Sequence, residues 1–436
     1  MSAVKIIGGG LAGCEAAWQL AQRGIECVIY EMKPKKFTPA HHYKGLAELV
    51  CSNSLKAARH ESAAGLLKEE MERLGSVMIP TAKENAVEAG GALAVDREKF
   101  SDSMTEKITS HPLIKVVEEE VVEIPEGDVI IATGPLTAEG LADSIRKKCG
   151  DYLSFFDAAA PIVTFESLDM EKVFFAARYD RGDADYINCP MDKEEYLAFY
   201  KELINAESAP LKEFDKRDFK VYEGCMPIEV LAKRGEDTMR FGPLKPVGLT
   251  DKRTGKRPYA VVQLRKENKE GTLYNLVGFQ TNLKFGEQKR VFSMITGLEN
   301  AEFMRYGVMH RNSFIDSPKL LNPDYSLKED NRIFFAGQIT GVEGYIESAA
   351  SGIMAGINMA ARIQGKKPLI LPVDTMIGAL TRYISGGCDG EFQPMGCNMG
   401  ILPELSERIK DKKVKYGMYA DRAMESLEMA LIEYGV

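Results

Sequence analysis

The feature that most constrains this chain is a glycine loop near its start, in which Gly8, Gly10 and Gly13 stand at the spacing G-x-G-x-x-G. Residues 4–7 before the loop are mostly apolar and predict a buried strand, and the apolar spacing of residues 14–23 predicts a helix after it. The first glycine permits a tight turn, the second lets the backbone approach a pyrophosphate, and the third allows helix and strand to pack closely. The N–H groups at the start of the helix attract the phosphates. The loop therefore predicts a dinucleotide site.

The acidic residue that accompanies such a loop is Glu31, at the end of a second predicted strand formed by residues 25–30. A carboxylate at that place accepts hydrogen bonds from ribose hydroxyls. We therefore expect Glu31 to bind the cofactor together with the whole loop, which includes Gly9, Leu11 and Ala12. A glycine turn without a ligand is the alternative, and the combination of strand, loop, helix and acid argues against it.

A second glycine cluster, Gly337, Gly341 and Gly344, also follows a predicted strand and precedes a predicted helix. Because the start of a helix carries positive potential, it can stabilise the negative pyrimidine edge of a reduced flavin. The cluster therefore favours FAD over NAD. Its predicted cofactor-binding residues are Gly337, Gln338, Gly344 and Tyr345. Two alternatives stay open here: the glycines serve packing alone, and Tyr345 is a packed aromatic rather than a ring that stacks on flavin or on a base.

The length of 436 residues exceeds what one hydrophobic core usually serves, so we expect two domains. Between residues 151 and 325 aromatic, proline and basic residues alternate with short strand-like runs. We predict an α/β fold with a discontinuous cofactor-binding domain (1–150 and 326–436) and an inserted α+β domain (151–325). The other predicted elements are helices 62–74 and 416–434 and strands 116–124, 129–132, 259–264, 273–277 and 332–336.

The charge of the chain points in two directions. A net charge of −8 argues against a nucleic-acid partner. Basic residues nevertheless concentrate between positions 212 and 290, and the alternatives are a solvated surface and an RNA-facing patch. These residues are Lys212, Lys216, Arg217, Lys220, Lys245, Lys252, Arg253, Lys256, Arg257, Arg265, Lys266, Lys284, Lys289 and Arg290. A second, smaller cluster consists of Lys410, Lys412, Lys413 and Lys415.

The eight cysteines form no C-x-x-C pair, and their spacing to the five histidines fits no zinc pattern. We therefore expect no metal, and mostly buried, unreactive thiols. No apolar run approaches the roughly 20 residues that span a bilayer, so we expect no membrane segment. The start of the chain lacks the pattern of a secretory signal, and the cytoplasm is the expected location.

Six longer motifs, which follow one another in order, resemble the TrmFO family of folate- and FAD-dependent tRNA uracil-5-methyltransferases. They are Gly8–Ala17, Tyr30–Pro34, Leu49–Lys56, Ala132–Thr137, Tyr222–Glu229 and Gly337–Tyr345. The first and last are shared with the related GidA tRNA-modifying flavoproteins, whereas the segments around Cys51 and Cys225 are specific. The resemblance runs from residue 4 to past residue 400. It implies a Rossmann-like FAD-binding domain of the GidA or glutathione-reductase type.

The resemblance also implies a reaction. A one-carbon unit passes from methylenetetrahydrofolate to carbon 5 of a T-loop uridine in tRNA, FAD supplies electrons, and NADPH or NADH regenerates reduced FAD. Cys225 matches the family's nucleophile, and Cys51 matches a cysteine near the flavin that acts as a base or positions the flavin. Carbon 5 of uracil is a poor nucleophile until a thiolate adds to carbon 6, so such chemistry needs a thiol and a base. From the residues alone each of the two is more often a buried, inert cysteine, although their polar, loop-like surroundings suit reactive thiols.

Two rival functions remain at this point. A GidA-like protein modifies the wobble uridine, but those proteins are longer and carry an added helical domain. A flavin-binding tRNA chaperone without turnover is the second rival. Formation of ribothymidine from methylenetetrahydrofolate, NADPH and unmodified tRNA separates all three.

Overall fold

The computed structural model describes residues 3–151, 153–180, 183–210, 226–388 and 392–435. The strands, numbered in chain order, are β1 (Val4–Ile7), β2 (Cys27–Glu31), β3 (Ser54–Ala57), β4 (Ala86–Val87), β5 (Ala92–Val95), β6 (Ile114–Glu118), β7 (Val129–Ile131), β8 (Leu153–Ala158), β9 (Ile162–Thr164), β10 (Phe174–Phe175), β11 (Ile187–Met191), β12 (Ala260–Lys266), β13 (Leu273–Leu276), β14 (Phe303–Arg305), β15 (Met309–Phe314), β16 (Ser326–Leu327) and β17 (Asp330–Phe335). The α-helices are Leu11–Gln22, Ala63–Arg73, Met78–Glu84, Arg97–Thr109, Glu139–Cys149, Lys193–Asn205, Ile228–Ala232, Thr238–Phe241, Phe285–Phe292, Ser317–Leu320, Tyr345–Ile363, Met376–Ile384 and Lys412–Tyr434.

A six-stranded sheet carries both glycine loops, in the order β16-β17-β7-β1-β2-β6. Its strands pair in parallel except for β16, which runs antiparallel to β17. All three residues of β7 are buried, as expected for a central parallel strand that is covered on both faces. Because parallel strands end at the same edge, the loops after β1, β2, β7 and β17 meet there, which is where open α/β sheets bind ligands.

Two helices pack unusually closely beneath this edge. The helix that follows the second glycine cluster lies against the first helix through Gly352 and Gly356. A Cβ atom at Gly352 would lie 2.2 Å from the Ala12 carbonyl oxygen, and one at Gly356 would lie 2.7 Å from that of Ala16. This approach, closer than any side chain permits, brings the starts of the two helices together.

A second, antiparallel sheet has the order β10-β11-β12-β13-β9-β14 and a hydrophobic core of its own. Helix Lys193–Asn205 begins with a capping box of Asp192 and Glu195 and buries Phe199 and Leu203 in that core. β8 and β15 form a separate two-stranded ribbon, and β3, β5 and β4 form a small third sheet. The strands of the second sheet all fall within the predicted insertion, whereas the limits of that insertion at 151 and 325 stay a prediction.

One sequence-based element is wrong in its extent. Residues 116–124 were predicted as one strand, but β6 ends at Glu118. Val121 and Ile124 turn away and pack instead against the core formed with helix Glu139–Cys149, where the Ile124 N–H donates to Ser144 Oγ at 3.1 Å. Among the described helices, none combines the length and the apolar character needed to cross a bilayer.

Candidate cofactor and thiol site

A cleft of about 1070 Å³, including the solvent at its mouth, opens where the two glycine loops meet. Most of the predicted cofactor residues line it: Gly8, Gly10, Leu11, Ala12, Glu31, Gly337, Gln338 and Tyr345. Three of the predicted residues do not line the cleft: Gly9, Gly13 and Gly344. The structure thus brings together two loops that lie more than 320 residues apart in the sequence.

Each glycine of the first loop has a distinct physical reason. Gly8 has φ = +104°, and a Cβ there would lie 2.5 Å from the Ala132 carbonyl oxygen. A Cβ at Gly13 would lie 1.9 Å from the Gly8 carbonyl oxygen, so only glycine lets the helix sit on the turn. Gly10 differs, because no protein atom lies within 4 Å of the place a Cβ would take. That empty space at the start of a helix is what a close-lying pyrophosphate requires.

Glu31 is fixed before any ligand arrives. Its carboxylate accepts hydrogen bonds from the N–H groups of Gly9, at 2.8 Å, and Lys33, at 2.9 Å. Each carboxylate oxygen can accept a further bond. Glu31 therefore lies in the cleft in the place expected for the acceptor of ribose hydroxyls.

The second glycine cluster shapes the opposite wall. Gly337, Gly341 and Gly344 all have positive φ (+82°, +85° and +122°), which explains why glycine occupies these positions. The Gly337 N–H donates to Ser351 Oγ at 2.6 Å, which ties the loop to the helix that it precedes. Helix Tyr345–Ile363 then begins with Gly344 as its N-cap residue and points its first turn toward the cleft.

Tyr345 connects this wall to the thiol-bearing loop. Its hydroxyl oxygen accepts hydrogen bonds from the N–H groups of Cys51, at 2.6 Å, and Ser52, at 3.2 Å. Burial, the main cause, raises the pKa of Tyr345 well above its usual value, so the hydroxyl stays protonated. The predicted alternatives for Tyr345, packing or stacking, left out this role: it is the anchor of the Cys51 loop.

Guanidinium groups surround the Cys51 loop on its other side. Arg97 donates to the carbonyl oxygens of Leu49, at 3.0 Å, and Cys51, at 2.9 Å, and makes a two-pronged ion pair with Glu267, at 2.8 and 2.9 Å. Arg305 donates to the carbonyl oxygen of Val50. Burial, followed by the charge of Arg97, lowers the pKa of Arg305. Positive charge of this kind stabilises a thiolate in proteins generally.

Strand β12 of the second sheet also contacts the loop. Arg265 donates to Ser52 Oγ at 2.7 Å and to Asn53 Oδ1 at 3.0 Å, and Glu267 holds Arg97. Sequence reasoning assigned Arg265 to a basic surface and missed Glu267. No local sequence pattern identifies Arg265 and Glu267, because they lie more than 200 residues after Cys51 in the sequence. Their contacts with the Cys51 loop arise only in the folded chain.

Further cleft residues were missed for a similar reason. Thr133, Gly134 and Pro135 follow β7 and line the cleft. They belong to the motif Ala132–Thr137 but were not predicted to bind the cofactor. Glu119 and Glu120 line it from an irregular segment that has no sequence signature.

Cys225, the predicted nucleophile, lies outside the described residues, as do Lys212, Lys216, Arg217 and Lys220. Three other thiols are fully buried: Cys14, Cys27 and Cys189. Burial raises the pKa of Cys27 to about 12, which suits a packing residue rather than a reactive one.

Comparisons with known proteins identify chains that are similar to this one over nearly its whole length. A family model described as glucose inhibited division protein A matches residues 3–367. The protein named methylenetetrahydrofolate–tRNA-(uracil-5-)-methyltransferase TrmFO of Desulfitobacterium hafniense is 61% identical over 430 residues, which cover 98% of each chain. The protein of that name from Brevibacillus brevis is 58% identical, over 98% of this chain and 97% of its own. The chain belongs to the TrmFO family. The predicted resemblance is therefore confirmed.

A solved structure of GidA from Aquifex aeolicus shares the fold, with a TM-score of 0.70 at 18% identity, over 98% of this chain and 73% of GidA. The α/β fold class, with a Rossmann-like FAD-binding sheet of the GidA type, is confirmed by this likeness and by the parallel sheet.

Proposed function

We propose that this protein transfers a one-carbon unit from methylenetetrahydrofolate to carbon 5 of the T-loop uridine of tRNA, and so forms ribothymidine. The observation that carries the proposal is the anchoring of the Cys51 loop on Tyr345, which lines the dinucleotide cleft. A thiol-bearing segment at the edge of this cleft supports a reaction that uses a thiol beside a bound cofactor. The relatives that share 56–61% of its residues carry the name of this reaction.

The residues of the cleft fit FAD. The open space over Gly10 takes the pyrophosphate, Glu31 takes the ribose, and the wall formed by Gly337, Gln338 and Tyr345 takes the flavin end. FAD, when bound and reduced, would supply the reducing equivalents that turn a methylene into a methyl group. We propose NADPH or NADH as the source of those electrons, and the cytoplasm as the location of the reaction.

The remaining steps, nucleophilic addition and proton removal, are assigned to residues of the chain itself. Cys225 adds to carbon 6 of the uracil, which makes carbon 5 nucleophilic toward the methylene of the folate. Once that carbon–carbon bond has formed, a base removes the proton from carbon 5 and the Cys225 thiolate leaves carbon 6. Cys51 is the candidate for that base or for positioning the cofactor, since Arg97 and Tyr345 hold its backbone from both sides. Residues 151–325 form the insertion that presents the tRNA.

The two cysteines are tested separately. Cys225→Ala should bind FAD yet form no covalent adduct with a 5-fluorouridine T-arm, as seen in a denaturing gel. A normal adduct would remove Cys225 from the nucleophile's role. Cys51→Ala should lose turnover, with cofactor absorbance showing whether flavin binding changes, and full activity would remove Cys51 from the mechanism. Cys14→Ala serves as the matched control, because that thiol is buried behind the first loop.

The function as a whole is tested by incubation with NADPH, methylenetetrahydrofolate and unmodified tRNA. We expect ribothymidine in the digested tRNA. A modified wobble uridine instead, or tRNA binding without any product, would overturn the proposal in favour of the two rivals.

A further inference from the structure

A tight turn in the second domain presents uncompensated positive charge. Asp251 and Lys256 form an antiparallel bridge, with the Asp251 N–H donating to the Lys256 carbonyl oxygen at 3.0 Å. The Gly255 N–H donates to the Asp251 carbonyl oxygen at 2.8 Å, and Gly255 has φ = +67°. The residues between them, and Arg257 after them, are therefore held at the tip of a closed turn.

Arg253 braces this turn against the domain. Its guanidinium donates to both carboxylate oxygens of the buried Asp251, at 2.9 and 2.7 Å. It also donates to the carbonyl oxygen of Glu171 and, at 2.8 Å, to that of Lys172. The turn is thus fixed in position, and the charges on it need little ordering before a ligand binds.

The turn and the start of the neighbouring helix form a surface that we call the hairpin groove, defined by Lys193, Lys252, Lys256 and Arg257. Lys193, Lys256 and Arg257 line a shallow groove, and Lys252 is exposed beside it. Among the described residues, none of these four cations has a carboxylate partner within ion-pair distance.

The carboxylates that face this groove are already engaged. Asp192 and Glu195 bond to each other's backbone N–H groups, at 2.9 and 2.7 Å. Asp251 is held by Arg253, which keeps its pKa below the usual value. These carboxylates keep their charge, but the groove is lined by five cations against three carboxylates and so presents an excess of positive charge on a chain whose net charge is −8. The cations are Lys172, Lys193, Arg253, Lys256 and Arg257.

Other exposed cations of the same domain differ from those of the groove. Lys284 pairs with Glu207 at 2.5 Å, and Arg290 pairs with Glu287 at 2.8 Å and with Glu202. Among the described residues of the basic stretch, ion pairs therefore neutralise Lys284 and Arg290, whereas Lys252, Lys256 and Arg257, which have no ion pair, lie together at the hairpin groove.

The groove lies far from the thiol loop, and strand β12 connects the two. Arg257 precedes β12, and Arg265, close to its other end, contacts Ser52 beside Cys51. A strand rises about 3.3 Å per residue, so the five steps of β12 from Ala260 to Arg265 span about 17 Å, and Arg257 lies three residues before the strand. The groove therefore lies at the end of β12 opposite to the end that contacts the Cys51 loop.

We propose that the hairpin groove binds backbone phosphates of the tRNA body, at the end of β12 that lies away from the Cys51 loop. This inference rests on the proposed function for the identity of the RNA. Lysine and arginine side chains on a fixed turn suit a sequence-independent grip on phosphates, which positions an RNA without reading its bases.

The test compares two triple variants that lose the same charge. K252Q/K256Q/R257Q removes three of the four groove cations and keeps Lys193, and K284Q/K289Q/R290Q removes three cations of the same domain outside the groove. Each lost phosphate contact lowers the slope of log affinity against log salt by about 0.7–0.9. The groove variant should therefore lose about 2 from that slope and bind full-length tRNA at least ~10-fold more weakly near 0.15 M salt. Its KM for tRNA should rise while kcat at saturating tRNA stays unchanged.

A short RNA supplies the distance control. A T-arm stem-loop of four base pairs reaches only about 14 Å from its loop, at ~3.4 Å per base pair. It should bind the wild-type protein and the groove variant equally. The proposal is overturned if the groove variant keeps the wild-type affinity and slope, or if the second triple variant loses as much. Ribothymidine formation by the wild type, measured alongside, reports the proposed function separately from the RNA grip.

Discussion

Gly10 and Gly13 belong to one motif, but alanine at these two positions should fail in different ways. At Gly13 the added Cβ would lie 1.9 Å from the Gly8 carbonyl oxygen, so the first helix must shift off β1 by more than an ångström. Overpacking of this kind destabilises a protein by about 1–3 kcal/mol. At Gly10 no protein atom lies within 4 Å and φ is −77°, which any residue adopts. The stability of flavin-free Gly10→Ala should therefore stay within about 0.5 kcal/mol of wild type.

Alanine at Gly10 should weaken the binding of FAD even though it leaves the stability of the flavin-free protein unchanged. The alanine methyl group would occupy the space assigned to the pyrophosphate, so FAD affinity should fall at least ~10-fold, which corresponds to about 1.4 kcal/mol. Urea unfolding of the flavin-free proteins measures the first effect, and fluorescence titration with FAD measures the second. Wild-type FAD affinity in Gly10→Ala would refute the placement of the pyrophosphate. Wild-type stability in Gly13→Ala would refute the packing argument.

Two further predictions concern a tyrosine hydroxyl and a buried carboxyl. Tyr345→Phe removes the hydroxyl that accepts hydrogen bonds from the Cys51 and Ser52 N–H groups, and an unpaired buried N–H costs about 1–3 kcal/mol. The Cys51 loop should therefore lose its position, so that kcat for ribothymidine formation falls while the affinity for FAD is kept. An unchanged kcat would contradict the anchoring role of Tyr345. Burial raises the pKa of Glu15 from 4.5 to about 7, so the folded state holds more protons between these pH values and stability should fall by about 3 kcal/mol as pH rises through them. The free energy of unfolding, measured with urea at several pH values in this window, should depend less steeply on pH in Glu15→Gln than in the wild type. The same pH dependence in both proteins would contradict the raised pKa of Glu15.

Most of the residues predicted to bind the cofactor line one cleft, and they could be selected from the sequence because their signals are local. Gly8, which must avoid the Ala132 carbonyl oxygen, and Glu31, at the end of β2, both belong to short sequence patterns of a few neighbouring residues. The second glycine cluster is also a local signal, because each of its glycines has a positive φ, a conformation that favours glycine over other residues. Only the meeting of the two loops, through Gly352 and Gly356, required the structure.

The thiol half was less predictable because its contacts are long-range. Arg97, Glu267 and Arg305 converge on the Cys51 loop from separate elements, and nothing in their local sequence marks them. The basic stretch was predictable as composition but not as a surface. Whether a lysine such as Lys284 is neutralised depends on Glu207, which a different part of the fold supplies.

The origin of the methyl carbon tests the central claim most directly. Methylenetetrahydrofolate labelled with ¹³C in its methylene group, incubated with the protein, FAD, NADPH and unmodified tRNA, should yield ribothymidine one mass unit heavier, confined to the T loop. Unlabelled ribothymidine, or label in a nucleoside outside the T loop, would contradict the account.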